Sequence, residues 1–155
     1  MVWILVAVAA AILIFVVVQN QRRPVAAVGG GLTVRFPGDG DYETDIVGES
    51  NYQTDLEAIC GGRSKESHEF ECEAMLRREP DNPYDPNAVC VWVQDRRVGY
   101  LARPLAAAFS QMAAARGVTA VVCDALIVGG WRDAKGESHF GVKLDLVEDD
   151  LDDEG

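Results

Sequence analysis

The sequence predicts an α+β domain of about five to six mostly antiparallel strands with two inserted helices, an order compatible with a small, partly closed barrel. Three patterns carry this prediction. Apolar and charged residues alternate from Glu69 to Leu76, β-branched and aromatic residues flank Gln94-Asp95, and apolar residues recur at helical spacing after Pro104. The chain has 155 residues, so its central part has the size of one domain with one modest core.

The strand predictions rest on period-two alternation and on β-branched content. Two turns separate neighbouring strands, one at Gln94-Asp95 and one at Asp133-Ala-Lys-Gly136. A short edge strand over Leu32 to Phe36 is an optional addition. The predicted strands are Glu43 to Val47, Glu69 to Leu76, Ala88 to Val93, Arg96 to Leu101, Val118 to Gly130 and Ser138 to Val147.

Two helices are predicted from their ends and from their apolar faces. The first runs from Tyr52 to Cys60, with Asn51 as its cap and Gly61-Gly62 at its end. The second begins at Pro104 and is closed by Gly117. The apolar faces are Leu56, Ile59 and Cys60 in the first helix, and Leu105, Phe109 and Met112 in the second.

The amino-terminal segment has the composition of a membrane helix. Met1 to Val18 carries no charged side chain, and a helix of that length spans roughly 27 Å, close to the thickness of the hydrocarbon core of a bilayer. Arg22 and Arg23 follow the apolar run, and no basic residue precedes it, which favours an uncleaved anchor over a signal peptide. The positive-inside rule then predicts a single-pass protein of the cell membrane whose domain faces the cytoplasm.

Three segments outside the predicted domain are assigned from their composition. Residues 1–20 form the predicted transmembrane anchor, and residues 21–42, with Gly29-Gly30-Gly31, form a flexible linker. Residues 148–155 hold six acidic side chains, which predicts a disordered, solvated tail. An alternative for this tail is a mimic of nucleic acid that competes for the binding groove. The domain itself is assigned to residues 43–147.

Charge and cysteine usage limit the classes of function. The formal net charge of −11 argues against broad, non-specific attraction to phosphates, so any contact with nucleic acid must be local. Cys60, Cys72, Cys90 and Cys123 contain no C-x-x-C pair and are predicted to be reduced core residues. A zinc site with His68 or His139 is the weaker alternative, because the spacing fits no standard pattern. No cofactor, metal or catalytic constellation is predicted, so we expect no enzyme activity from this chain alone.

The segment from Arg78 to Leu101 is the most informative part of the sequence. Pro80, Pro83 and Pro86 restrict their own φ angles and those of the residues before them, which predicts a rigid loop. Side chains of Asn82, Asp85 and Asn87 can hydrogen-bond to nearby backbone and leave Tyr84 at the apex.

This loop, together with the hairpin after it, closely resembles the HIRAN domain. The shared pattern is Glu-Pro-Asp-Asn-Pro-Tyr-Asp-Pro-Asn-Ala-Val followed by Val-Gly-Tyr-Leu, and the likeness extends from Val47-Gly48 to Phe140-Gly141. The resemblance implies an OB-like, partly closed barrel. It also implies a groove for single-stranded DNA, and in characterised members for its free 3′ end. The site residues implied in this sequence are Tyr52, Asn82, Tyr84, Asp85, Tyr100 and Arg103, with Phe140 as a further wall.

The chemistry of these residues suits a strand end. Tyrosine rings stack on bases at ~1–3 kcal/mol each, and Arg103 can pair with a phosphate. Asp85 can accept a hydrogen bond from a sugar hydroxyl. Each residue also has a purely structural explanation, because Asn82 and Asp85 build the loop and Tyr100 can pack inside a barrel.

Two functions follow as alternatives. The first is a membrane-tethered module that binds single-stranded DNA 3′ ends without catalysis. The second is a module that recruits a protein partner to the cytoplasmic face of the membrane through the same groove. A helicase-like protein is one candidate partner, since relatives carry this domain beside a motor. The first function requires clustered cations beside Tyr84, drawn from Arg77, Arg78, Arg96, Arg97 and Arg103.

Overall fold

The computed structural model describes residues 31–147 and Leu151. Its helices are α1 (Gln53–Cys60) and α2 (Arg103–Arg116), and a 3-10 turn covers Glu49–Asn51. The strands are β1 (Leu32–Arg35), β2 (Thr44–Val47), β3 (His68–Arg78), β4 (Val89–Val93), β5 (Arg96–Leu101), β6 (Val118–Gly129), β7 (Arg132–Asp133), β8 (Gly136–Glu137) and β9 (Phe140–Leu144).

Six of these strands form a closed antiparallel barrel in the order β6-β3-β4-β5-β2-β9, and β9 returns to pair with β6. The closing ladder runs from Ala125 opposite Leu144 to Gly129 opposite Phe140. The sequence predicted a partly closed barrel, whereas the ring of strands is complete. The barrel can close because β6 is 12 residues long. Along one edge of β6, the first part of the strand pairs in parallel with β1 and the second part pairs with β9.

The core lies inside the barrel and beneath the two helices. Alternate residues of β6 point inward, with Val121, Cys123 and Ala125 fully buried. Helix α2 covers one side of the barrel through Phe109 and Met112, and α1 contributes Leu56 and Ile59. Each large apolar side chain removed from water contributes roughly 1.5–3 kcal/mol, so these contacts hold the helices on the sheet.

The helix boundaries agree with the sequence except at one cap. Gly61 and Gly117 adopt left-handed backbone at the ends of α1 and α2, as predicted. Asn51, however, is not the cap of α1, because it lies in the 3-10 turn and its Nδ2 donates to the Gly48 carbonyl at 3.3 Å. Tyr52 occupies the cap position and makes no capping hydrogen bond with its side chain.

Residues 31–42, predicted as part of a flexible linker, belong to the folded domain. The optional edge strand is present as β1, which pairs in parallel with β6, and Phe36 is buried after it. The carboxylate of Asp145 then accepts hydrogen bonds from the backbone amides of Asp39 and Gly40 at 3.1 Å. The linker prediction is therefore wrong for this part, because pairing with β6 outweighs a weak local strand signal.

The structure tests part of the prediction for the carboxyl-terminal tail, whereas the predicted membrane helix is not among the described residues. The predicted membrane helix, Met1 to Val18, lies outside the described residues, and neither helix of the described part is long and apolar enough to cross a bilayer. Within the predicted solvated tail, Leu151 is packed into the core with 6% of its surface exposed. The prediction of a solvated tail is thus wrong at Leu151, because its apolar side chain is buried in the core.

The four cysteines are free thiols, as predicted. Cys72, Cys90 and Cys123 are buried and Cys60 is half-buried. Burial raises the pKa of each thiol to about 12, so all four are neutral and unreactive at physiological pH.

Candidate functional site

The loop between β3 and β4 is held in one shape by its own hydrogen bonds. Its base is closed by the Glu79 amide, which donates to the Ala88 carbonyl at 2.8 Å. Oδ1 of Asn82 accepts from the backbone amides of Tyr84 at 2.9 Å and Asp85 at 3.2 Å, as an Asx turn does. Tyr84 itself is 88% exposed at the tip. The loop therefore presents the Tyr84 ring almost fully to solvent.

A carboxylate joins this loop to β5. Oε2 of Glu79 accepts from Asn82 Nδ2 and from the Tyr100 hydroxyl, each at 3.1 Å. Its other oxygen pairs with Arg97 Nη2 at 2.9 Å, and Arg97 Nη1 donates to the Tyr100 hydroxyl at 3.0 Å. Burial, with the nearby Cys90 and Glu79, raises the pKa of Tyr100, which keeps the hydroxyl protonated as a donor. The loop is thus anchored to the barrel wall by a polar network.

An open groove of about 810 Å³ lies between the loop and the ends of β2 and β5. Tyr84 and Asp85 line one side, and Tyr100 and Val47 line the other. Val47 is 46% exposed although it is apolar. The two strands approach closely at Gly99, where a Cβ atom would lie 2.6 Å from the Val47 carbonyl oxygen. Glycine at this position therefore lets β2 form the floor of the groove.

Three arginines, Arg78, Arg97 and Arg103, line the groove with three carboxylates, Glu79, Asp81 and Asp85. Nε of Arg78 is buried and has no hydrogen-bond partner in the part of the chain that the structure describes. Such a donor is costly unless a ligand or water satisfies it. The local charge is balanced, so the groove can attract a few phosphates but not a long polyanion.

Five of the seven predicted site residues come together at this groove: Asn82, Tyr84, Asp85, Tyr100 and Arg103. Oδ1 of Asp85 accepts from the Asn87 amide at 2.8 Å, which leaves Oδ2 without a protein donor among the described residues. Tyr52 does not line the groove but lies beside it at Arg97. Burial alone would lower the pKa of Arg97, but Cys90, a hydrogen bond with Tyr52, and Glu79 raise it.

Phe140 is not a wall of the groove, and its prediction as a site residue is wrong. Its ring is 2% exposed and packs against His68, with ring centroids 5.3 Å apart, and under the guanidinium of Arg63. Gly130 makes room for it, since a Cβ atom there would lie 2.0 Å from the ring. The side chain of Gln53 holds the Phe140 backbone by hydrogen bonds to both its amide and its carbonyl. Phe140 therefore fixes α1 against β9 rather than contacting a ligand.

The arginines proposed to converge on Tyr84 do so only in part. Arg96 pairs with Asp55 at 2.6 Å, and Arg77 does not line the groove. Glu79 and Val47 line the groove but were not predicted as site residues, and Arg97 was predicted only as one of five candidate cations. A bulge explains the position of Arg97. Residue 98 has no partner on β4, so Arg97 and Tyr100, three residues apart, reach the same side of β5.

Comparison with known proteins decides the family. The sequence model of the HIRAN domain matches residues 39–134, more than half of the chain. The chain belongs to the HIRAN domain family. A similar solved structure is the crystal structure of the HIRAN domain of human HLTF, with 20% sequence identity, 65% of this chain and 70% of that chain covered, and a TM-score of 0.34. No curated protein matches the chain. The matched residues include the loop and the groove.

Proposed function

We propose that this HIRAN domain binds nucleic acid in the groove, and that its preferred ligand is the 3′ end of single-stranded DNA. The proposal is carried by Tyr84, a ring that is 88% exposed on a loop fixed by hydrogen bonds. A ring that is almost fully exposed contributes little to the packing of the protein, whereas stacking on a base would bury it against a ligand.

The cations of the groove suit a short stretch of phosphodiester. Arg103 is exposed and makes no ion pair with another described residue, so its guanidinium is available to a phosphate. Arg78 is a second arginine that lines the groove, and it forms no ion pair with another described residue. Arg97 is already neutralised by Glu79. Two available arginines support contact with one or two phosphates, which predicts modest affinity and a shallow salt dependence.

Asp85 is the reason why we propose that the groove binds the end of a DNA strand rather than an internal segment of it. Its free Oδ2 accepts a hydrogen bond from a donor, and a terminal 3′ hydroxyl is a donor that an internal nucleotide of DNA lacks. The proposed contacts are to a base face, to phosphates and to a terminal hydroxyl rather than to base edges, so binding is expected to be independent of sequence.

We further propose that Met1 to Val18 anchors the domain in the membrane, with Arg22 and Arg23 keeping it on the cytoplasmic side. The domain then acts as a binding module without catalysis of its own. Within the described residues, no group of three or more histidine, cysteine, aspartate or glutamate side chains could hold a metal ion.

A protein ligand is the second candidate, and the electrostatics of the groove favour it. Glu79 removes the charge of Arg97, and the exposed Val47 offers apolar contact. A peptide with a basic residue near Asp81 or Asp85 would fit the same surface and would recruit its protein to the membrane. If the groove is specific for such a peptide, we expect no binding of DNA ends in the titration described below.

The test is a titration of the full-length protein in mild detergent with a short, 5′-labelled single strand at low salt. The same strand closed into a circle is the comparison, because it has the same phosphates and bases but no end. We expect the linear strand to bind more tightly than the circle and than a blunt duplex. Equal binding of linear and circular strands would show that the groove does not prefer ends. Absence of binding to either strand would favour the protein ligand.

A further inference from the structure

The outer face of the barrel beside the groove carries side chains to which the groove gives no role. Strands β3, β4 and β5 lie side by side, and their register places Arg77 opposite Cys90 and Cys90 opposite Tyr100. Two residues further along β4, Trp92 lies opposite Arg97. Residues two apart on a strand share a face, so Cys90 and Trp92 point to the same side of β4, opposite to its core valines.

Three of these residues, Arg77, Trp92 and Arg97, form what we call the β3–β5 patch. The guanidinium of Arg97 lies 5.4 Å from the centroid of the Trp92 ring and 5.7 Å from that of the Tyr100 ring. Burial raises the pKa of Cys90, and the charges of Arg97 and Arg77 oppose this shift, so both guanidinium groups lie near its thiol. Arg97 and Tyr100 also line the groove. The patch is therefore continuous with the groove.

The charge of the outer face changes sign along β3. Its outward-facing residues are, in chain order, Glu69, Glu71, Glu73, Met75 and Arg77. The acidic half of the strand lies away from the groove, whereas Arg77 lies at the end next to it. Arg77 makes no ion pair with another described residue. A cation beside a stacked pair of arginine and tryptophan combines the two kinds of contact that hold single-stranded nucleic acid.

The groove has room only for the end of a strand. Its volume of about 810 Å³ is that of a pocket for one small molecule, so further nucleotides must leave it over a neighbouring surface. The cavity next to Arg103 is lined by Glu43 and Asp45 and by no basic residue among those that the structure describes. The β3–β5 patch, on the other side, offers Arg77. Because phosphates are attracted by positive charge, the patch is the favoured path.

We propose that the β3–β5 patch binds the nucleotides that precede the 3′ end, so that a single strand runs from the groove across β5 and β4 to β3. A base stacks on the Arg97–Trp92 pair, since a guanidinium plane and an indole ring both stack on bases. Arg77 contacts a backbone phosphate at a position two strand spacings, roughly 10 Å, from Tyr100. This inference rests on the function proposed above and extends it from a strand end to a site of several nucleotides.

The length of the strand tests this path. The full-length protein in mild detergent is titrated with a trinucleotide and with a longer strand that has the same 3′ end and about nine nucleotides, within the range of sites on OB folds. We expect the longer strand to bind more tightly. Its log K should also fall more steeply with log salt, by about 0.7 for each added phosphate contact.

A variant of the patch separates its contribution from that of the groove. Arg77→Ala should weaken binding of the longer strand and reduce its salt slope by about 0.7, because one phosphate contact is lost. Binding of the trinucleotide should be unchanged, which also shows that the variant is folded. Arg132→Ala is the control, since this exposed arginine pairs with Glu137 and does not line the groove.

The NMR signal of the Trp92 indole N–H group, assigned with Trp92→Phe, gives a second readout. It should shift with the longer strand and not with the trinucleotide. Trp131 is the internal control, because it follows the far end of β6, whereas Arg77 lies opposite Ala120 near its start. Equal affinity of the two strands, or equal effects of Arg77→Ala and Arg132→Ala, would overturn the path and leave binding of the end intact. Absence of binding by both strands would overturn the proposed function and the path together.

Discussion

The Glu79 carboxylate accepts a hydrogen bond from the Tyr100 hydroxyl at 3.1 Å, and this contact joins the proline-rich loop to the barrel wall. The same oxygen accepts from Asn82 Nδ2, whose side-chain oxygen in turn holds the amide of Tyr84. A side chain of β5 therefore controls the position of an exposed ring through two intermediate residues. The loop that lines the groove is therefore held by a chain of polar contacts.

Replacing Tyr100 by phenylalanine tests this network. Tyr100→Phe removes one donor to Glu79 and one acceptor for Arg97, so we expect a loss of about 0.5–1.5 kcal/mol in the free energy of unfolding. Urea denaturation measures the loss, and Tyr42→Phe serves as a control outside the groove. Amide exchange in the loop should also become faster in Tyr100→Phe. Unchanged stability together with unchanged exchange would show that the network does not hold the loop.

Removing the exposed ring should weaken binding without weakening the fold. Tyr84→Ala should cost about 1–3 kcal/mol of binding free energy for a single strand, because one stacked base is lost. Stability should be unchanged because Tyr84 buries almost no surface. Tyr84→Phe keeps the ring and should bind as the wild type does. If the alanine variant binds normally, the ring does not contact the ligand.

Arg103 should contribute a phosphate contact that depends on salt. Arg103→Ala is expected to weaken binding of all sequences and to reduce the slope of log K against log salt by about 1. Arg132→Ala removes another exposed arginine, which pairs with Glu137 in the β7–β8 hairpin and does not line the groove. Binding measured at several salt concentrations should separate the two variants. Equal slopes would exclude Arg103 as a phosphate ligand.

Alkaline pH should destabilise the domain through its thiols. The folded protein keeps the pKa of Cys60, Cys72, Cys90 and Cys123 at about 12, whereas unfolded thiols ionise near 9. Between these values the unfolded state binds fewer protons, so stability is complete below pH 9 and falls as the pH rises. Urea midpoints from pH 8 to 11 measure the decline. Cys72→Ala should reduce its slope, and a flat profile would contradict the buried, free state of the thiols.

The sequence predicted what depends on local patterns. Proline and asparagine spacing gave the loop and placed Tyr84 at its tip, and period-two alternation gave β3 and the hairpin. Contacts between segments that are far apart in the chain could not be predicted from these local patterns. Phe140 was assigned to the groove from its position in the family pattern, but the space at Gly130 draws its ring into the core. Arg97 reaches the groove through a bulge that no local pattern signals.

Contacts with distant segments also explain why the predictions for the two ends of the domain were partly wrong. Leu32 to Arg35 form a strand only because β6 offers a free edge to them, 86 residues away at Leu32 and Val118. Leu151 stands alone among acids, and it is buried because it packs into the core of the domain. Both segments pack against residues that are distant in the sequence. Their composition alone therefore predicted a flexible linker and a disordered tail.

The most direct test of the proposed function compares a short single strand ending in a 3′ hydroxyl with the same strand ending in a 3′ phosphate. The hydroxyl end should bind more tightly, because a phosphate removes the donor to Asp85 and brings negative charge against its carboxylate. Asp85→Asn should reduce this preference, since the amide does not repel the phosphate and still accepts from Asn87. Equal affinity for the two ends, or a preference for the phosphate, would contradict recognition of a 3′ end in this groove.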